Sequence, residues 1–292
     1  MSLNSLNEIV GQCEKRSIKI SEYVIAAQME ETERSRDDIY ATMRESLDVM
    51  RQAINEGVSR PQNSLSGLTE GSAYAYAEFV RENDLPGGKL FNSIITYALA
   101  VSEVNACMGR IVAAPTAGSC GILPAVLFAL DEEYGFGEDS LVNALFAASG
   151  VGAVIAKRAT LSGAQGGCQA ECGSASAMAA AAGAELLGGT PSMCAHACSM
   201  ALKNTLGLVC DPVAGLVEVP CVKRNVMGAV NALSSMNMAL AGIKSAIPAD
   251  EVIDAMGDIG AQIHTSLRET SEGGLAVTPT GREFTKKIAQ KK

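Results

Sequence analysis

Apolar residues in the first part of the chain recur at the spacing of an amphipathic helix. One such stripe, with charged residues between its members, consists of Met43, Leu47, Met50 and Ile54. Positions three and four apart share one helical face. Ser5 followed by Glu8 fits a capping box at the start of an earlier helix. We therefore predict an N-terminal helical arm over residues 1–60, and a Gly-, Pro- and Ser-rich loop over residues 57–71.

Beyond about residue 90 charged residues become sparse, and the pattern predicts longer buried helices. Between Ala159 and Leu202 the only acidic residues are Glu171 and Glu185, and no Lys or Arg occurs. Glycines that end helices and prolines that precede them mark the boundaries. Three helices are expected at about residues 168–187, 223–243 and 250–264. Because no repeat or low-complexity linker separates them, residues 61–292 are expected to form one domain.

The composition indicates an all-α fold. The 292 residues include no Trp, only 6 Phe and 6 Tyr, and long stretches of Ala, Gly, Ser, Met and Cys. Such small side chains bury little area each, so the core requires closely approaching backbones. Packed helices meet this requirement better than a β-sandwich, which needs aromatic and β-branched residues. We predict a multi-helix single domain with small-residue helix packing and the helical arm at its N-terminus.

Charge and hydropathy exclude two classes of partner. With 23 Lys and Arg against 32 Asp and Glu, the formal net charge is −9, which disfavours nucleic acid. Residues 111–130 and 225–243 carry no charge. The first contains two prolines and the second several polar residues, so neither is expected to enter a membrane. The first eleven residues lack a secretory signal, so we expect a cytoplasmic protein whose nine cysteines stay reduced.

A loop rich in small residues, residues 114–121, precedes the apolar run 122–130. A Gly- and Ser-rich turn that opens a helix presents backbone N–H groups and the positive end of the helix dipole, which suit a carboxylate or phosphate. Thr116 and Ser119 add hydroxyl groups, and Gly118 allows close approach. The alternative is a tight turn between two buried helices. The loop is not a P-loop, because no Gly-Lys-Ser/Thr follows.

Three cysteines stand in loops or where helices are expected to begin. Cys168 follows two glycines, Cys210 precedes Asp-Pro, and Cys221 directly follows a proline. Helix N-termini favour the thiolate, which is the form that binds metals. The spacing matches no common ferredoxin or zinc-finger pattern, and buried free cysteine is common. From spacing alone, burial and metal binding both remain open.

The other cysteines and the two histidines carry less chemistry. Cys194 and Cys198 share one helical face while His196 points away from it, so we interpret both cysteines as core residues. His264 is expected to be a core or surface residue. Three further cysteines are expected to be structural, although the last of them lies in the glycine loop; they are Cys13, Cys107 and Cys120.

Three segments resemble the iron–sulfur L-serine dehydratases, and in particular the alpha chain of the two-subunit form. They are A-P-T-A-G-S-C-G-I-L-P-A-V-L (114–127), S-G-A-Q-G-G-C-Q-A-E (162–171) and K-N-T-L-G-L-V-C-D-P-V-A-G-L-V-E-V-P-C-V-K-R-N (203–225). The last segment is the most specific. The resemblance implies a helical catalytic domain, over residues 61–292 here, with a [4Fe-4S] cluster held by three cysteines. The matching positions are Cys168, Cys210 and Cys221.

The resemblance also implies a reaction and a partner. L-serine would lose water to give pyruvate and ammonia, without pyridoxal phosphate, and a separate beta chain would complete the enzyme. Thr116, Gly118 and Ser119 are expected to seat the substrate carboxylate. The chain lacks the C-terminal cysteine and the Ser-Ser-Ser-His-Thr segment of single-chain relatives, as expected if the beta chain supplies that segment. This leaves the fourth iron's resting ligand open, and no residue is assigned as the α-proton base.

Two alternatives to an L-serine dehydratase stay open from the sequence. The first is a related iron–sulfur lyase that acts on L-threonine or L-cysteine. The second is a non-catalytic helical protein whose cysteines lie in the core or hold a structural metal. The alternatives predict different products in the first case, and a colourless, air-stable chain in the second.

Overall fold

Residues 1–290, which the computed structural model describes, form α-helices joined by loops and short turns, with no β-strand. This confirms the all-α prediction. The α-helices are α1 (Leu6–Arg16), α2 (Ile20–Thr32), α3 (Arg36–Ser59), α4 (Ser72–Glu82), α5 (Gly88–Ala106), α6 (Ile122–Tyr134), α7 (Glu138–Arg158), α8 (Gly163–Gly166), α9 (Ser174–Leu186), α10 (Pro191–Lys203), α11 (Cys221–Leu240), α12 (Ala249–Gln262) and α13 (Pro279–Ala289). Shorter elements are a π-helical turn (Gln169–Gly173) and 3-10 helices at Ala117–Ser119, Val213–Gly215, Thr265–Leu267 and Gly274–Val277.

Helix α9 lies at the centre of the protein. Every residue from Ser174 to Glu185 is buried, and eight of these twelve residues are Ala or Gly. Four helices, α6, α7, α10 and α11, pack around it. Because the side chains of α9 are so short, the backbones of the neighbouring helices approach its backbone closely, as the composition predicted.

The first three helices pack onto this core. Helix α2 lies against α7, α3 against α5 and α7, and α1 against α10 and α12. The Ser5 hydroxyl accepts a hydrogen bond from the Glu8 N–H and caps α1, as expected. The division of the chain near residue 60 stays a prediction; α3 ends one residue earlier.

One sequence-based boundary was wrong. The loop predicted from Gly57 begins at Arg60, because Gly57 is part of α3 and faces α5. A Cβ at Gly57 would lie 2.6 Å from the Ala100 Cα. The glycine therefore serves a close helix crossing and does not mark a turn.

Helix α7 is long and apolar enough to cross a membrane by length and composition, but 67% of that stretch is buried inside the protein. Its neighbours are α2 and α9. It is therefore packed as a core helix. The two uncharged segments noted in the sequence fall elsewhere, in the glycine loop with α6 and in α11 and the turn that follows it.

In three places, a buried carboxylate of one helix accepts hydrogen bonds from the backbone N–H groups at the N-terminus of another helix. Glu103 of α5 accepts from the N–H groups of Ser72 and Ala73 at the start of α4, at 2.8 and 3.0 Å. Glu185 of α9 accepts from the Ser21 N–H in α2, and Asp250 of α12 accepts from α1. Each carboxylate satisfies N–H groups that lack partners within their own helix.

Candidate active site

A cavity of about 440 Å³ opens where the glycine loop before α6, the π-helical turn before α9 and the start of α11 meet. The segments that precede α6 and α9 and the first turn of α11 therefore meet in one region of the protein. The cavity is lined by Thr116, Ala117, Gly118, Leu161, Ser162, Gly163, Glu171, Cys210, Pro212, Gly215, Val217, Cys221 and Glu269.

The glycine loop forms one wall and is tied to α11 by Asn225. The Asn225 amide donates to the Gly118 carbonyl at 2.8 Å and to the Cys221 carbonyl at 2.9 Å. Its oxygen accepts from the Gly121 N–H at 2.9 Å. Asn225 is 1% exposed, so one buried amide fixes the loop relative to the helix that carries Cys221.

Ser119 lies behind the cavity wall. It is fully buried, and its hydroxyl is 3.2 Å from the Thr116 hydroxyl. Thr116 in turn donates to Glu171 Oε1 at 2.7 Å. Because a hydroxyl carries one hydrogen, Thr116 can only accept at this contact, and the Ser119 hydroxyl has both the hydroxyl and, at 3.5 Å, the carbonyl of Thr116 as acceptors. Among the described residues, Thr116 and Gly118 face the cavity, and Ser119 supports Thr116.

The three cysteines singled out in the sequence come together here. Cys210 and Cys221 line the cavity. Cys168 is buried beside them, and its negative charge raises the pKa of both. Burial is the largest cause of both shifts and raises the pKa of Cys221 to about 12. Three thiols in one low-dielectric region resist ionisation unless positive charge joins them.

Cys168 differs from the other two because its pKa is lowered. The main cause is a hydrogen bond from the Cys172 thiol, and the Arg224 guanidinium acts in the same direction against burial. Arg224 also donates to Asp211 at 2.9 Å and to the Val209 carbonyl at 2.7 Å. The guanidinium therefore links Cys168 to the loop that carries Cys210.

Glu171 stands in the cavity between the glycine loop and Cys210. Besides the bond from Thr116, its Oε2 accepts from the Cys210 thiol at 3.8 Å. Burial raises the pKa of the carboxyl, and the nearby Glu269 adds to the effect. No Lys, Arg or His is among the lining residues of this cavity in the described chain.

The C-terminal part of the chain covers Cys210. The Cys210 N–H donates to the Leu267 carbonyl at 2.9 Å, and its carbonyl accepts from the Glu269 N–H at 2.8 Å. Glu269 has a φ of 66°, a left-handed conformation uncommon for a non-glycine residue. The Asp211 carboxylate also accepts from the Leu275 N–H at 2.7 Å. These bonds hold residues 267–275 against Cys210 and Asp211 and place Glu269 at the cavity.

The donor set of this region fits a thiolate-bound cluster. Cys210 and Cys221 line the cavity with Cys168 buried beside them, the pKa of Cys168 is lowered, and the unfavourable ionisation of the other two would be relieved by bound iron. Within residues 1–290, no three His, Cys, Asp or Glu side chains lie close enough to hold a single metal ion. The thiols thus border a space and do not converge on one point.

Sequence reasoning found part of this region and missed part. It named the three cysteines and the glycine loop, which the fold brings together. It missed Glu171, Arg224 and Asn225, although all three stand in the quoted motifs. For Glu171 a signal existed, because it is one of two acidic residues in the otherwise uncharged stretch 159–202. The histidines lie elsewhere: His264 caps Ser266, and His196 accepts from the Ser245 N–H.

The chain is thus an all-helical protein in which two cysteines and a glycine loop line one cavity, with a third cysteine beside them. The family model described as "Serine dehydratase alpha chain" matches residues 15–276. The chain therefore belongs to the serine dehydratase alpha chain family.

Individual relatives agree with this assignment. The chain is 51% identical to "Probable L-serine dehydratase, alpha chain" of Bacillus subtilis, over 97% of this chain and 94% of the relative. It is 43% identical to "L-serine dehydratase, alpha chain" of Peptoniphilus asaccharolyticus, over 97% of each. A longer relative, "L-serine dehydratase" of Streptomyces coelicolor, is 41% identical over 87% of this chain and 57% of its own length.

Proposed function

We propose that this chain is the alpha subunit of an L-serine dehydratase that converts L-serine to pyruvate and ammonia. The observation that carries the proposal is that Cys210, Cys221 and the glycine loop line one cavity, with Cys168 buried close enough to raise the pKa of both cysteines. Membership of the serine dehydratase alpha chain family and the names of its relatives support it. The reaction is an elimination, in which the Cα proton and the β-hydroxyl leave as water.

The three cysteines are proposed to hold a [4Fe-4S] cluster. When bound, such a cluster would supply an iron that none of the three cysteines holds, and this iron would act as a Lewis acid toward the β-hydroxyl of the substrate. A hydrogen bond from the Cys172 thiol lowers the pKa of Cys168, and the Arg224 guanidinium acts in the same direction, so both favour the thiolate that a cluster would need. Asn225 fixes the distance between the glycine loop and the first turn of α11.

The chain's own residues bind the substrate and limit its access to water. Thr116 and Gly118 are proposed to contact it from the loop, with Ser119 holding the Thr116 hydroxyl in place. Leu161 and Val217 contribute apolar surface to the cavity. The aminoacrylate product of the elimination then hydrolyses to pyruvate and ammonia.

A beta chain is proposed as the partner. Two relatives that this chain covers almost completely are named alpha chains. The Streptomyces relative, by contrast, extends well beyond the region that this chain matches. A separate beta chain would supply the part of the enzyme that corresponds to the unmatched region of that relative. The assembled enzyme is proposed to act in the cytoplasm.

The decisive test is purification without oxygen, with iron, sulfide and visible absorption measured before and after exposure to air. We expect a brown protein with about four irons and four sulfides per chain. With its partner it should release pyruvate from L-serine faster than 2-oxobutyrate from L-threonine or sulfide from L-cysteine. A different order of rates would assign the enzyme to another substrate.

Substitution of single cysteines tests the ligands. Cys168→Ala, Cys210→Ala and Cys221→Ala should each abolish the cluster absorption and the activity together. Cys194→Ala is the matched control, because Cys194 is a buried core cysteine in α10. A variant that keeps the full iron content removes its cysteine from the proposed set.

A further inference from the structure

The hydrogen bonds at Thr116 determine which substrate group this wall of the cavity can bind. Thr116 donates its only hydroxyl hydrogen to Glu171 Oε1 at 2.7 Å. Its oxygen also accepts from Ser119, so it has one lone pair, and no hydrogen, left for a ligand in the cavity. An acceptor next to a carboxylate suits a cation and repels an anion.

Two glycines leave the Glu171 carboxylate open. A Cβ at Gly118 would lie 3.1 Å from Glu171 Oε1, and one at Gly163 would lie 2.5 Å from Oε2. Any side chain at Gly163, and a larger one at Gly118, would crowd or displace the carboxylate. The carboxylate is thus bordered on two sides by residues without side chains.

The charges that line the cavity have one sign. Its charged lining residues are Glu171 and Glu269. Glu269 stands at the exposed edge, with its N–H bonded to the Cys210 carbonyl. Such a wall attracts the positive end of a zwitterionic amino acid and repels acids that lack an amino group.

We propose that Glu171, with the Thr116 hydroxyl as a second acceptor, binds the α-ammonium group of the substrate, and that Glu269 assists from the cavity edge. This inference rests on the proposed function, because it takes the substrate to be an L-amino acid. It changes the assignment of the loop: Thr116 contacts the ammonium group, and the substrate carboxylate is left to the backbone around Gly118 and to the rest of the site. The enzyme would then select α-amino acids over the matching hydroxy acids.

Two small ligands isolate this contact, because neither can be dehydrated. Glycine carries a carboxylate and an α-ammonium group, whereas glycolate carries a hydroxyl in place of the ammonium group. Both are titrated as inhibitors and by calorimetry against the cluster-loaded complex of the chain with its partner. In the wild type we expect glycine to bind more tightly than glycolate.

Glu171→Gln should weaken glycine binding by at least about tenfold, since a hydrogen bond to a charged group is lost, while glycolate binding stays unchanged. Glu171→Asp should restore part of the preference, and Glu269→Gln should have a smaller effect than Glu171→Gln. Glu185→Gln makes the same chemical change at a buried carboxylate that contacts α2, and should leave both ligands unaffected. Iron content is measured for every variant.

The outcomes separate this inference from the proposed function. Equal weakening of glycine and glycolate in Glu171→Gln, or no weakening of either, overturns the ammonium assignment even if the wild type dehydrates L-serine. Selective loss of glycine binding supports it. If the wild type does not dehydrate L-serine, yet Glu171→Gln selectively loses the glycine binding of the wild type, the ammonium site stands and the proposed reaction fails.

Discussion

At the scale of single residues, two polar side chains hold the cysteines and the glycine loop in position around the cavity. Arg224 connects Cys168 to Asp211, and Asn225 connects the glycine loop to Cys221. Each has its polar atoms engaged in a buried environment, where an unsatisfied partner is costly. The thiols are therefore positioned by a polar network, and a substitution within that network acts on the cavity indirectly.

Ser119→Ala tests such an indirect effect. Ser119 donates to Thr116 from behind the cavity wall, so its loss should loosen Thr116 without removing a substrate contact. We expect kcat/KM for L-serine to fall several-fold, mainly through KM, with iron content unchanged. Steady-state kinetics beside iron analysis measure this, and unchanged kinetics would mean that Ser119 has no part in substrate binding.

At the scale of elements, the protein joins helices by placing a carboxylate of one at the N-terminus of another. Glu103, Glu185 and Asp250 do this for α4, α2 and α1. These contacts connect positions far apart in the chain. They stabilise particular pairs of helices where small apolar side chains give little directional preference.

The Glu185 contact predicts a pH dependence of stability. Burial raises the pKa of this carboxyl above its ordinary value of 4.5, against the hydrogen bonds from Ser21. The folded protein thus takes up a proton at higher pH than the unfolded chain. Relative to Glu185→Gln, the wild type should gain free energy of unfolding as the pH falls from neutral toward 4.5, by about 1.4 kcal/mol for each unit of pKa shift.

Urea denaturation of both proteins at several pH values between 5 and 7.5 measures this difference. The Gln side chain retains an oxygen that can accept from Ser21, so the comparison isolates the charge. A wild type that loses stability relative to Glu185→Gln on acidification would show that the carboxyl is held ionised in the folded protein.

At the scale of the whole molecule, close backbone packing is the main feature that the composition predicted. Helix α9 and the crossing of α3 with α5 depend on Ala and Gly at the contacts. The sequence could give the class of fold and the approximate bounds of α9, α11 and α12, because periodicity and helix-ending residues are local signals. It could not identify Gly57 as a contact residue. A glycine followed by a Pro- and Ser-rich stretch predicts a turn, and only the structure shows that Gly57 packs against Ala100 of α5.

The lack of local signals also explains why some residues at the cavity could not be predicted from the sequence. The cysteines and the glycine loop stood out as residue types with recognisable chemistry in quoted motifs. Glu171 stands alone among uncharged residues, and no spacing pattern indicates its pairing with Thr116. The cover formed by residues 267–275 depends on backbone bonds to Cys210 across more than fifty positions, which no local pattern reports.

Two glycine substitutions test the close packing. Gly57→Ala should lower the free energy of unfolding by about 1–3 kcal/mol, because the new methyl group meets the Ala100 backbone at 2.6 Å. Gly11→Ala in α1 is the matched control: no atom lies within 4 Å of its Cβ. It should raise stability by about 0.5–1 kcal/mol through helix propensity.

Both changes restrict the unfolded chain equally, so the difference between them measures the helix contact. Thermal and urea denaturation give that difference. A Gly57→Ala protein as stable as Gly11→Ala would mean that α3 and α5 can move apart at little cost.

The order of the chain has a consequence for biosynthesis. The ribosome completes Cys168, Cys210 and Cys221 before residues 267–275, the segment that covers Cys210. While that segment is still inside the exit tunnel, the side of the cavity next to Cys210 is open to delivery of the iron and sulfide of the proposed cluster. After release, the same route requires the segment to detach from Cys210 and Asp211. Insertion of the proposed cluster during translation would thus need no opening of the fold, whereas its repair in the finished protein would require this segment to detach.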